Sequence, residues 1–192
     1  MRNPYSCIPL LCALALLGCF SGQRQESSSS AELPQLGIAV KLPENFSPLP
    51  RENLREAGSF SLIEADPFTP IPLYGYRESD GKGVLIISQL ELTEGAEAEK
   101  YPLDTVFIYK KNIERYFGVE EIATEEISNQ DITVVLLAMM FGEGEEAISL
   151  FKGLCFKYPD RYFMLDLYVV NALVTRDDAF RFQELFNSLS SL

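Results

Sequence analysis

The chain has 192 residues, with 16 Lys and Arg against 28 Asp and Glu and no histidine, for a formal net charge of −12. This length fits one domain with a short appendage, and 47% hydrophobic with 11% aromatic residues is too apolar for a wholly disordered protein. The missing histidine excludes a catalytic His, a His metal ligand and a His pH switch, while a pI near 4.5 argues against a nucleic-acid surface, which needs clustered Lys and Arg.

Arg2 is the only charge in residues 1–19, and Cys7 to Leu17 follows it as a short apolar stretch. At about eleven residues the stretch is too short to span a bilayer, which takes about 20. A charged start before such a run predicts a secretory signal peptide over residues 1–18. The run ends in Leu16-Leu17-Gly18-Cys19, a small residue before a cysteine. This ending resembles the lipobox of bacterial lipoproteins. The resemblance implies that the Cys19 thiol is diacylated, that the chain is cut before it, and that the new N-terminus is acylated too. The lipid bilayer is then a partner, held through acyl chains, palmitate among them, on Cys19. Two or three such chains anchor stably where one binds only marginally. Leu17 departs from the small or β-branched residue commoner at that place. A cut elsewhere by the general signal peptidase, or an ordinary signal peptide with a chance cysteine, is the alternative. The implied location is the bacterial cell membrane or outer membrane, facing the periplasm or the exterior. Phe20 favours the outer membrane, because the inner-membrane retention signal of enteric bacteria is an Asp there.

Residues 19–34 then read as the lipidated cysteine and a flexible linker. Phe20 to Pro34 is polar and Ser-rich, with too little apolar surface to fold. A flexible linker of about 14 residues spans roughly 20 Å. Removal of residues 1–18 takes away Arg2 and no acid. The mature surface would be repelled by anionic headgroups, so acyl chains rather than basic patches must hold it to the membrane. Cys7 and Cys12 leave with the signal peptide and Cys19 is acylated. Cys155 alone remains, which excludes an intramolecular disulfide.

The folded domain is expected over 35–192. Gly37 to Leu42 reads as a strand stopped by Pro43, followed by a Pro-rich loop from Asn45 to Pro50. Arg51 to Glu56 reads as a single helical turn or a loop. Ser59 to Glu64 alternates as a half-buried strand should. Asp66 to Pro72, with three prolines, is a loop or a bulged edge. Strands follow at Tyr74 to Arg77 and Val84 to Thr93, joined by a hairpin turn at Asp80-Gly81. After the polar stretch Glu94 to Lys100, Asp104 or Thr105 can cap a helix that Gly118 ends. Strands are predicted at Glu121 to Ser128, Ile132 to Phe141, Ala147 to Tyr158 and Arg161 to Val170. A last helix runs from about Asp177 to Ser190, with Phe180, Leu185, Phe186 and Leu189 on its apolar face. Sequential strands with short turns imply an α+β fold. An antiparallel sheet of about six to seven strands is covered by the mid-chain and C-terminal helices.

Leu42-Pro43-Glu44-Asn45-Phe46 at the end of the first strand resembles the opening of PsbP-like domains. Phe182-Gln183-Glu184-Leu185-Phe186-Asn187-Ser188 is similar to that family's closing stretch. The resemblance spans roughly 36–190. The family includes photosystem-associated lumenal proteins, a nuclear-import cofactor and bacterial periplasmic lipoproteins such as DcrB. It implies a binding or assembly role, with no shared catalytic residues to carry over. Exported lipid-carrier half-barrels would give a similar order of elements.

No catalytic, cofactor-binding or metal-ligating residue is assigned. Glu120, Glu121, Glu125 and Glu126, then Glu143, Glu145 and Glu146, could hold Ca²⁺. They lack the Asp-x-Asp-x-Asp-Gly loop, and they read as a solvated edge and turn that resist edge pairing. Ser27 to Ser30 lies in the linker, without a Gly-x-Ser-x-Gly elbow or a His. Gly81-Lys82-Gly83 and Gly142-Glu143-Gly144 read as hairpin turns, since neither opens a helix in a phosphate-binding context. Cys155 reads as a small buried hydrophobe. Most of the tyrosines belong to the core or to cross-strand pairs. The segment Pro67 to Pro72 is the candidate partner-contact loop, with Phe68 and Ile71 as its apolar contacts.

These readings converge on a membrane-anchored lipoprotein, not an enzyme, whose domain binds a partner protein in the cell envelope. A carrier or sensor of an apolar small molecule or lipid is the alternative, and a His-free hydrolase using paired carboxylates is a third.

Overall fold

This computed structural model describes residues 29–59, 62–93, 102–118, 124–129, 131–141, 148–170 and 176–192. In chain order the elements are β1 (Ser29–Leu33), β2 (Ile38–Leu42), β3 (Phe46–Pro48), a 3-10 turn (Arg51–Asn53) leading into α1 (Leu54–Ala57), β4 (Phe68–Glu78), β5 (Gly83–Leu92), α2 (Pro102–Phe117), β6 (Thr124–Asn129), β7 (Ile132–Phe141), β8 (Ile148–Lys157), β9 (Arg161–Val170), α3 (Arg176–Asn187) and β10 (Ser190–Ser191). Seven strands form one antiparallel sheet in the order β3-β4-β5-β9-β8-β7-β6. β1, β2 and β10 form a second, small antiparallel sheet. The expected α+β class, with an antiparallel sheet of six to seven strands and helices placed mid-chain and near the end, is the observed one.

β7 and β8 read as nearly unbroken apolar runs because the large sheet is covered on both faces. On β8, Leu150 and Leu154 point into one core while Phe151 and Cys155 point into the other. The first core lies under α2, which contributes Val106, Tyr109 and Ile113. The second lies under the small sheet and α3, which contribute Leu33, Ile38, Val40, Phe182, Leu185 and Phe186. At Gly153 the ring of Phe186 comes so close that a Cβ would sit 2.0 Å from it. Only glycine leaves room for that contact.

Four boundaries differ from the sequence reading. The linker expected over 19–34 ends sooner, because Ser29–Leu33 pairs with β2 along its whole length. Leu33 is 1% exposed and Ala31 packs on the same core, so the alternate apolar residues after the serines are enough to seat an edge strand. Ser59 to Glu64 is not a strand in its described part. The Leu62 N–H bonds back to the Gly58 carbonyl, and Leu62 and Ile63 both pack on the core beneath α2, which an alternating strand cannot do. The Pro-rich segment after Asn45 includes the short strand β3. The segment Pro67 to Pro72 is mostly strand: β4 begins at Phe68, pairs with β5 and shifts register between Pro72 and Tyr74. It is the bulged edge of the two readings, since β3 covers only Tyr76 to Glu78. Prolines are tolerated on such an uncovered side. The two-residue β10 has no signal in the sequence.

Candidate functional site

The candidate partner contacts do not form an exposed loop. Phe68 is 0% exposed. Its ring lies 5.3 Å from that of Tyr109, edge to face, and 4.7 Å from that of Tyr162. Ile71 is half-buried in β4, opposite Gln89. The placement of Phe68 is a correction: flanking prolines marked a loop, but strand pairing with β5 turned the phenylalanine inward. Cys19 and residues Glu120, Glu121, Glu143, Glu145 and Glu146 lie outside the described residues. Cys155 is fully buried, with its thiol 3.6 Å from the Gly153 carbonyl oxygen. Burial pushes that thiol well above its ordinary range, and the nearby Asp166 charge adds to the effect, so it is the inert small hydrophobe expected.

Three features were not singled out by the sequence. The first is a fully buried ion pair on the α2 side of the sheet. Lys152 on β8 and Asp166 on β9 are direct cross-strand partners. Lys152 Nζ donates to both Asp166 carboxylate oxygens at 2.7 Å and lies 3.1 Å from Met164 Sδ. Both side chains are 0% exposed. Desolvation lowers the Lys152 pKa, and the Asp166 carboxylate opposes that shift. Above the pair, the Tyr109 hydroxyl donates to the Ile63 carbonyl at 2.9 Å. Burial raises its pKa, with the Asp166 charge contributing. A reacting molecule would have to displace α2 to reach this pair, so its geometry is that of a structural clamp.

The second feature lies on the opposite face, between β3, the start of β5 and α3. Glu78 is 7% exposed. Its Oε1 accepts from Arg181 Nη1 at 2.6 Å and from Asn45 Nδ2 at 2.6 Å. This cluster edges a recess lined by Pro43, Phe46, Leu167, Val169 and Leu185. The recess has room for about one water molecule. It is far smaller than a site for a lipid or other apolar ligand.

The third feature is the outer face of α2. The inward residues Val106, Tyr109 and Ile113 are at most 1% exposed, whereas Ile108 is 53% and Tyr116 68% exposed. Lys111 and Arg115 are exposed on the same side as Ile108. The sequence carries a signal for Ile108, which falls at least 100° from the inward stripe set by Val106, Tyr109 and Ile113, whereas Tyr116 is in step with Tyr109 and Ile113 and stands in solvent in the last turn of the helix. Among the described residues, no three Cys, Asp or Glu side chains gather as metal ligands, and no helix is long and apolar enough to cross a membrane.

No protein-family model matches the chain, and a search of curated proteins gives no match. The fold is similar to the solution structure of cyanobacterial PsbP (CyanoP) from Synechocystis sp. PCC 6803. The TM-score is 0.53 at 12% identity, over 92% of this chain and 99% of that one. Weaker likenesses are to a Bacteroides thetaiotaomicron VPI-5482 protein (TM-score 0.45, 11% identity, 81% of this chain and 45% of that one) and to PA94, a Pseudomonas aeruginosa protein of unknown function (TM-score 0.31, 10% identity, 83% and 91%). The chain therefore has a PsbP-like α+β fold. At this identity the likeness is one of fold alone.

Proposed function

We propose that the protein is a membrane-anchored lipoprotein, held by acyl chains on Cys19 and facing the periplasm or exterior, whose folded domain binds a partner protein without catalysis. The observation that carries the binding reading is the outer face of α2. On the side away from the core α2 leaves Ile108 in solvent beside Lys111 and Arg115, and Tyr116 stands in solvent in its last turn. Tyrosine and arginine are enriched where a few residues carry most of the binding energy. The PsbP-like fold is in keeping with the binding or assembly role that the family resemblance implies. The carrier reading would need an apolar cavity, and the described recess takes about one water. A carboxylate hydrolase would need two acids facing each other in a cleft, whereas Glu78 and Asp166 are each spent on a cation.

The anchor is tested by fractionation. With β1 starting at Ser29, the tether between Cys19 and the domain shortens to residues 20–28, a span of roughly 15–18 Å, so the domain sits close to the bilayer. Cys19→Ala should release the protein into the soluble fraction and remove the acyl mass from the intact protein. A variant that stays with the membrane at unchanged yield would sink the anchor.

A further inference from the structure

We infer that the outer edge of β1 pairs with the same edge of a second copy of this chain. Among the described residues β1 has one strand neighbour, β2. Bonds on the far side of β2 fix which groups of β1 are free. The Leu192 N–H donates to the Gly37 carbonyl and the Lys41 N–H to Ser188 Oγ, so Gly37, Ala39 and Lys41 turn their backbone groups toward β10. Ile38, Val40 and Leu42 then face β1, where their partners are Leu33, Ala31 and Ser29. The N–H and C=O groups of Ser30 and Glu32 therefore point out of the sheet edge, and both residues are exposed.

The other long edges among the described strands carry devices that discourage pairing. Phe68 exchanges backbone bonds with Ala65 outside the sheet. By alternation the outward positions of β4 before its bulge are Pro70 and Pro72, which have no N–H to offer. β6 carries Glu125 beside Glu126. β1 has no proline, no bulge and one charge, Glu32. Its free groups also match themselves. Two β1 strands set antiparallel about Ala31 place Ser30 of each copy opposite Glu32 of the other, and both pairs exchange N–H···O bonds. Centring on Glu32 would set like charges opposite each other, and centring on Ser30 would pair that residue alone. This self-match selects a second copy as the occupant. Two five-residue strands bury well under the roughly 800 Å² per partner of a stable interface, so the pair forms where copies are concentrated. The anchor proposed above supplies that concentration. In this register the two Ser29 ends lie about 14 Å apart, near enough for both tethers to enter one bilayer.

The test uses the full chain expressed with its own leader, oxidised with copper phenanthroline in whole cells and run on non-reducing gels. Two A31C cysteines on the two-fold axis would lie about 4.5 Å apart at Cα, within disulfide range. Two S30C cysteines would lie about 7–8 Å apart, beyond it. A covalent dimer in A31C, and none in S30C or wild type, is the expected result. S30P/E32P copies the proline spacing of β4 onto β1 and spares the bonds to β2. Copurification of two differently tagged copies should be lost in that variant, at an unchanged urea midpoint. No A31C dimer, a dimer in S30C instead, or A31C joined to another protein would each overturn the proposal. So would folded S30P/E32P copies that still copurify. If that variant fails to fold, the two cysteine variants decide by themselves. Fractionation keeps this inference apart from the anchor it draws on. A dimer in the soluble fraction removes the anchor and leaves the pairing. Monomer alone on the membrane removes the pairing and leaves the anchor.

Discussion

Lys152 and Asp166 show how two charges come to lie in an apolar interior. Each sits in a strand of apolar neighbours, and each is acceptable only because the other is directly opposite. Breaking such a pair leaves one uncompensated buried charge, whereas replacing both partners by apolar groups is often neutral. Lys152→Met is therefore expected to lower stability by about 3–5 kcal/mol, and K152M/D166L to recover most of that loss. Urea unfolding followed by far-ultraviolet circular dichroism reads both, and a single variant as stable as wild type would remove the pair as a clamp. The pair was legible in principle. The Tyr158-Pro159-Asp160 turn sets Lys157 opposite Arg161, and counting back along the hairpin brings Lys152 opposite Asp166. Phe68 was not legible: its prolines point to a loop, and only the position of β5 decides that its ring turns inward.

At the scale of elements, the pattern of apolar residues located β2, the six long strands β4 to β9 in whole or in part, and both long helices. β7 and β9 have the predicted limits, and α2 ends at Gly118, whose φ of 67° suits the left-handed residue that closes a helix. The failures fall where a segment answers to a distant neighbour. Ile63 packs inward because its carbonyl receives the Tyr109 hydroxyl from α2, 46 residues away. β10 exists because the Ser191 hydroxyl donates to Asp131 and its backbone pairs antiparallel with β2. The docking of α3 is another long-range constraint, concentrated at one position. Phe186 lies against Gly153 and also stacks edge to face with Phe182 at 4.5 Å. Gly153→Ala should force Phe186 out of its rotamer, with a loss of about 1–3 kcal/mol from overpacking. Combining it with Phe186→Leu should return part of that loss, because the smaller side chain can yield. If G153A alone melted with the wild type, α3 would have to sit farther from β8 than it does here.

For the whole molecule, the consequential difference from the sequence reading is where the fold begins. A polar, Ser-rich run has no power to fold by itself, yet five of its residues, Ser29–Leu33, complete the small sheet. Ser29 pairs with Leu42 and Leu33 with Ile38, so β1 carries the chain across the core over which α3 also packs. Leu33 and Leu36, at 1% and 2% exposure, close one end of that core. Two truncations separate tether from domain. A chain starting at Ser29 retains every described contact and should unfold at the same urea concentration as the mature protein. A chain starting at Gln35 loses the β1 ladder and the buried Leu33, and removal of a buried leucine alone costs about 2–5 kcal/mol. Its midpoint should fall accordingly, and the newly exposed edge of β2 should make it prone to associate through strand pairing. Equal midpoints for the two truncations would return residues 29–33 to the tether. A drop confined to the shorter chain fixes the domain boundary at β1 and the length of any leash before it.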